Sequence, residues 1–292
     1  MSVDIDRYRI KPGTRVRLKD HSPGDTGPFE SRKKAAGELE HGLERLYDLQ
    51  EKLFAQDRWA VLLILQAMDA AGKDSAIKHV MRGLNPQGTQ VSAFKVPSAE
   101  ELDHDFMWRT LKRLPERGRI GVFNRSYYEE VLVVRVHPEI LARQPLPVGL
   151  VTPDIWKQRF EDIVAIERYL ARNGTVIRKF FLNVSKKEQK KRFLERLDNP
   201  AKNWKFSLGD LEERKAWDDY MEAYEEAITA TSSNEAPWYV VPADSKWYTQ
   251  LVIAQVLVDA LEGLGLEFPG VTSAQRKELA HARELLASDR ED

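Results

Sequence analysis

Five short apolar runs, separated by helical patterning, constrain this fold more than any other feature of the chain. Val61-Leu-Leu-Ile-Leu65 is apolar without interruption, and a run of that length reads as a strand buried on both faces. Comparable runs lie at residues 91–94, 120–123, 175–182 and 238–241. The stretches between them carry helix signals. Ser98-Ala-Glu-Glu101 and Ser185-Lys-Lys-Glu188 have capping-box form. Thr152-Pro153 sets a cap residue before a proline at the first helical position, and Trp156, Phe160, Ile163, Val164 and Leu170 follow as one stripe. Such alternation predicts an α/β fold, a five-stranded parallel sheet flanked by helices. In sheets of this kind ligands bind beyond the carboxyl ends of the strands.

Composition narrows the function. The chain has 292 residues, 42% of them apolar, enough for one large domain or two small ones. With 45 Lys+Arg against 46 Asp+Glu the net charge is -1, which disfavours a globally basic nucleic-acid binder. Zero cysteines exclude a disulfide framework, a thiolate metal site and a cysteine nucleophile, and suit a cytoplasmic protein. No apolar run approaches the roughly 20 residues of a membrane span, and the N-terminus lacks a signal-peptide stretch. Neither nucleic acid nor membrane is therefore expected as a partner. The six histidines show no metal spacing, and no Gly-x-Ser-x-Gly elbow supports a serine hydrolase.

Along the chain, residues 1–28 are polar and broken by glycine and proline, so they read as an extended arm. A helix follows over about 30–54, which places an arm and helix in residues 1–57, packed on a main domain of residues 58–266. Residues 267–292 form a charged tail or surface helix.

After the first strand comes Gln66-Ala-Met-Asp-Ala-Ala-Gly-Lys-Asp-Ser75, then a helical stretch. Strand, small-residue turn, Gly72-Lys73 and helix are the context of a phosphate-binding loop. There Ala70, Ala71, Gly72, Asp74 and Ser75 would surround phosphate oxygens and Lys73 would supply charge. Ala67 replaces the first glycine of the usual pattern and Asp74 its hydroxyl, so an ordinary turn with a surface lysine stays open. Asp69 would repel a phosphate unless a cation lay between them. Mg²⁺, bound through one or two carboxylates plus substrate oxygens, would reconcile the two. The alternative role for Asp69 is that of a turn former.

The third strand ends in Asn124-Arg-Ser-Tyr-Tyr-Glu-Glu130. An acid at this place commonly orients Mg²⁺; Asn124 could contact the metal only weakly, through its carbonyl or a water. Arg125 would face the phosphates. A loop with an exposed Arg and Glu pair is the plainer reading. Residues 186–205 hold eight Lys/Arg (186, 187, 190, 191, 192, 196, 202 and 205) and three acids. This is either a solvated helix face or a lid that closes over a polyanion, with Asn199-Pro200 as a hinge and a second helix over about 208–230.

Four segments, residues 66–74, 123–132, 198–206 and 236–244, resemble in sequence and order the second family of polyphosphate kinases. The similarity runs from about residue 4 to residue 266. That resemblance implies a P-loop kinase fold like that of thymidylate kinases, with a helical lid near residues 185–220. It implies reversible, Mg²⁺-dependent transfer of a phosphoryl group from inorganic polyphosphate to nucleotides, with Mn²⁺ as an acceptable substitute. Asn at position 124, where most members carry Asp, is similar to the subgroup accepting both AMP and ADP, and guanine nucleotides are candidate acceptors. Carried over by position, Asp69, Lys73, Arg125 and Glu129 are catalytic, Asp69 and Asn124 face the metal, and Lys202 and Lys205 contact phosphates. Relatives are often dimers or tetramers, with the helices near 30–54 and 252–264 as candidate interfaces. An ATP-dependent nucleoside monophosphate kinase and a non-catalytic polyanion-binding module are the rival readings.

Overall fold

The computed structural model describes residues 3–289. Its longer elements begin with α1 (Ala36–Gln56), β1 (Ala60–Gln66), α2 (Lys73–Val80), β2 (Thr89–Ala93), β3 (Ile120–Asn124) and α3 (Ile155–Arg172). They continue with β4 (Thr175–Asn183), α4 (Lys186–Asp198), α5 (Gly209–Lys215), α6 (Trp217–Thr231), β5 (Trp238–Pro242), α7 (Lys246–Glu262) and α8 (Ser273–Ser288).

β1 occupies the centre of the sheet because its residues from Ala60 to Leu65 are apolar on both faces, and every residue of the strand, Gln66 included, is buried. The strand order is β2-β3-β1-β4-β5, all parallel. The register sets Leu65 of β1 opposite Asn124 of β3 and Phe180 of β4. The loops leaving β1 and β3 therefore depart at one level, and the Arg125 amide donates to the Leu65 carbonyl at 3.1 Å. One apolar cluster runs from Val3 to Leu266.

The N-terminal arm lies on the body and covers the open edge of β5. The Ile10 amide donates to the Trp238 carbonyl at 2.8 Å and the Val240 amide to the Tyr8 carbonyl at 2.9 Å. An edge strand otherwise presents unpaired backbone groups to solvent. Positions 1–2 of the arm and 290–292 of the tail lie outside the described residues. α8 has no buried residue and starts at a Thr272/Gln275 capping box. Among the described residues no helix is long and apolar enough to cross a membrane.

Several boundaries differ from the sequence reading. β2 starts earlier and ends before Phe94, whose amide still donates to the Asn124 carbonyl at 3.1 Å and whose ring packs edge-to-face on Phe123. α1 begins at Ala36, because the Lys34 and Ala35 amides first close a turn on the Ser31 carbonyl. α3 begins beyond Thr152-Pro153, whose backbone forms a turn with the Ile155 amide bonded to the Thr152 carbonyl. The helix expected over 208–230 is two, broken at Ala216, because α5 buries nothing whereas Trp217 turns inward. The Ser98 capping box forms completely. At Ser185 only half of one forms: its hydroxyl accepts from the Glu188 amide, but the Ser185 amide donates to Asp244 and the Glu188 carboxylate pairs with Arg192. The helix near 252–264, expected as an interface, is α7. It is buried between α1 and the sheet, and its Leu251, Val252, Val256 and Leu257 belong to the core.

Candidate active site

The phosphate-loop sequence folds as residues 67–72 between β1 and α2. Gly72 has φ 118°, a conformation open to glycine and strained for other residues. Ala70 also adopts a left-handed conformation, at φ 60°. The Lys73 ammonium folds back under the loop and donates to the Ala67 carbonyl at 2.7 Å. Its burial pulls the pKa below the usual lysine value, and Asp69 opposes the shift. Asp74 lies in the first turn of α2, where the helix dipole favours an anion. Ser75 is tied to α7, its hydroxyl accepting from Gln250 at 3.1 Å.

Arg125, at φ 63°, turns its guanidinium across to the loop after β1. Nη2 lies 3.2 Å from Asp69 Oδ1 and Nη1 lies 3.4 Å from Glu129 Oε2. Burial disfavours the charge, but Glu129 and Asp69 outweigh it and hold the pKa above the ordinary arginine value. Burial pushes the Glu129 carboxyl above its usual range, against the opposing pull of Arg125 and Lys73. Asn124 Nδ2 donates to Asp74 Oδ1 at 3.0 Å. The loop is rooted in the core through Tyr127 and Tyr128, whose hydroxyls both lie 2.9 Å from Glu167 Oε1. Glu167 Oε2 in turn pairs with Lys179 Nζ at 2.6 Å.

The two loops line one face of a cavity of about 610 Å³, and residues of the basic segment line the other. Asp69, Ala70, Ala71, Gly72, Lys73, Asp74, Ser75, Asn124, Arg125, Lys202 and Lys205 all border it. Of the residues singled out from sequence, only Glu129 does not. It borders a smaller chamber of about 140 Å³ behind Asp69 and Arg125, with Glu213, Tyr220 and Tyr224. Lys205 reaches across the cavity mouth to Asp74, Nζ to Oδ2 at 3.8 Å. Glu130 points away, to Arg159 at 3.2 Å and Gln144 at 2.7 Å.

The wall also contains Lys95, Arg192, Arg196, Trp204, Asp210 and Lys246, which sequence reasoning left unassigned. Lys95 and Lys246 lie just past the carboxyl ends of β2 and β5, so the rule that ligands gather there could have found them. Arg192 and Arg196 sat within the basic run without any sign of which side chains turned inward.

A hard divalent cation fits the oxygen donors present. Asp69 Oδ2 and Asn124 Oδ1 take part in no hydrogen bond among the described residues, although their neighbouring atoms do. One carboxylate, one amide oxygen and substrate phosphates form a donor set of the kind Mg²⁺ accepts. No group of three or more His, Asp or Glu side chains that could hold a metal by protein donors alone occurs among the described residues.

The sequence pattern of the polyphosphate kinase 2 family matches residues 30–268. The chain belongs to that family. It is 53% identical over 288 residues to an ADP-polyphosphate phosphotransferase of Rhodopseudomonas palustris, covering 98% of this chain and 99% of that one. It is 47% identical over 274 residues to an AMP/ADP-polyphosphate phosphotransferase of Meiothermus ruber, covering 94% and 98%. The crystal structure of polyphosphate kinase 2 from Arthrobacter aurescens superposes with a TM-score of 0.85 at 41% identity, over 96% of this chain and 99% of that one. The P-loop kinase fold expected from the motifs is thus the fold of this family.

Proposed function

We propose that this protein moves the terminal phosphoryl group of inorganic polyphosphate onto AMP and ADP, reversibly and with Mg²⁺. The charge of the cavity carries the reading. Eight Lys/Arg and four carboxylates line it, in a chain whose net charge is -1. Cations are concentrated where a repeating polyanion would lie. The names of the Rhodopseudomonas and Meiothermus relatives support the same donor, and the Meiothermus name supports both acceptors.

An acceptor phosphate oxygen attacks the terminal phosphorus of the chain in line. The bond to the next bridging oxygen breaks, and its electron pair stays on the shortened polyphosphate. Lys73 and Arg125 face the equatorial oxygens, where charge is spread in the transition state. Asp69, with Asn124 nearby, would hold Mg²⁺, which when bound would supply further positive charge at the transferring phosphates. The acceptor phosphate is already largely ionised at neutral pH, so no strong general base is needed. Glu129 holds Arg125 in place. Lys202 and Lys205 neutralise the polyanion from the lid side, Mn²⁺ replaces Mg²⁺, and guanine nucleotides serve as further acceptors. Assembly as a homodimer or homotetramer belongs to the same proposal, and light scattering on the purified chain checks it.

The test supplies AMP and Mg²⁺ with either polyphosphate or ATP as sole donor and measures ADP. Polyphosphate is expected to support turnover, and EDTA to abolish it. Product formed only with ATP overturns the reading in favour of an ordinary nucleoside monophosphate kinase.

A further inference from the structure

Arg192 spends every N–H of its guanidinium inside the protein. Nη1 donates to the Ala70 carbonyl at 3.0 Å and the Ala71 carbonyl at 2.6 Å. Nη2 donates to the carbonyls of Ala243 at 2.7 Å and Asp244 at 2.9 Å, and Nε to Glu188 Oε1 at 3.0 Å. The side chain is 5% exposed. A guanidinium has five N–H donors, so Arg192 keeps none for a phosphate oxygen although it borders the cavity.

Its partners explain what it does instead. Gln189, one turn earlier on α4, donates to the Asp69 carbonyl at 3.0 Å and is itself held by Arg214 Nη1 at 2.7 Å. Three successive carbonyls of the phosphate loop, those of Asp69, Ala70 and Ala71, thus point at α4. In a planar trans peptide the C=O and the following N–H point in opposite directions. Fixing the Ala71 carbonyl against Arg192 therefore turns the Gly72 N–H the other way. Ala70 needs such support, because a left-handed backbone is strained for alanine.

We propose that Arg192 is a positioning residue, which orients the phosphate-loop peptides for transfer and locks α4 to that loop and to the segment after β5. The proposal rests on the polyphosphate-dependent reading above. It also divides the basic segment: α4 as far as Arg192 is fixed to the body, and Lys202 and Lys205 lie beyond the fixed part.

The test compares wild type, Arg192→Lys and Arg192→Met with polyphosphate, AMP and Mg²⁺, reading kcat, KM for AMP and the melting midpoint. Both variants are expected to lose about 100-fold in kcat, the scale of a small misplacement of reacting groups. KM for AMP should stay within about threefold, and the melting midpoint should fall, because buried carbonyls on two segments lose their donor, while both variants remain folded at the assay temperature. Lysine should not rescue, since one ammonium cannot serve four carbonyls on two segments. Near-normal kcat in Arg192→Lys overturns the proposal, because charge alone would then suffice. So does a kcat loss that merely tracks the unfolded fraction at the assay temperature. Wild type that accepts only ATP would defeat the functional reading instead, and the same three proteins assayed with ATP still decide Arg192.

Discussion

Replacing Lys73 with methionine lowers kcat by about 10²- to 10³-fold, the usual scale for removing one preorganised group aimed at transition-state charge. The substitution keeps most of the side-chain volume and removes the ammonium. The native ammonium donates to the Ala67 carbonyl and sits beneath the loop beside Asp69. Some loop order is lost with that bond, worth about 1 kcal/mol, so the melting midpoint should fall only slightly. Steady-state turnover with polyphosphate and AMP, read beside a thermal melt, separates the effects. Turnover within threefold of wild type, which is about 0.65 kcal/mol of barrier, would remove Lys73 from the reaction.

Replacing Lys179 with methionine should destabilise the protein by about 3–5 kcal/mol, the cost of stranding one member of a buried ion pair. Lys179 and Glu167 are both essentially fully buried. The ammonium also donates to the Thr231 carbonyl at 2.8 Å and lies 2.9 Å from the Tyr128 hydroxyl. Glu167 gathers both tyrosines of the second loop, so the same change should loosen Arg125 and depress activity. Adding Glu167→Gln to Lys179→Met should recover part of the loss, because the remaining amide carries no charge. Denaturant midpoints for the single and double variants measure this. A single variant within about 1 kcal/mol of wild type would show that water reaches the pair.

The parallel sheet was legible in the chain because strands buried on both faces are apolar over nearly their whole length, as β1 is from Ala60 to Leu65 and β5 is throughout. The loop after β1 was legible for a related reason: small residues and a lysine between strand and helix leave few other uses. Glu167 and Lys179 carried a weaker signal. One interrupts the apolar stripe of α3 and the other stands inside β4, yet nothing local says that the two meet. Helix starts at residues 30 and 152 were misjudged because turn bonds at Ser31 and Thr152 compete with the first helical turn.

Local sequence thus determined the strands, the helices between them and the residue types that can hold phosphate, since period and turn chemistry act over a few positions. Which basic side chains face the cavity, and which one is consumed by backbone carbonyls, was decided only by the packing of α4 against the loops after β1 and β5. Hydrogen bonds spanning 51 to 122 positions depend on how distant segments meet. No window along the chain contains both partners of such a bond.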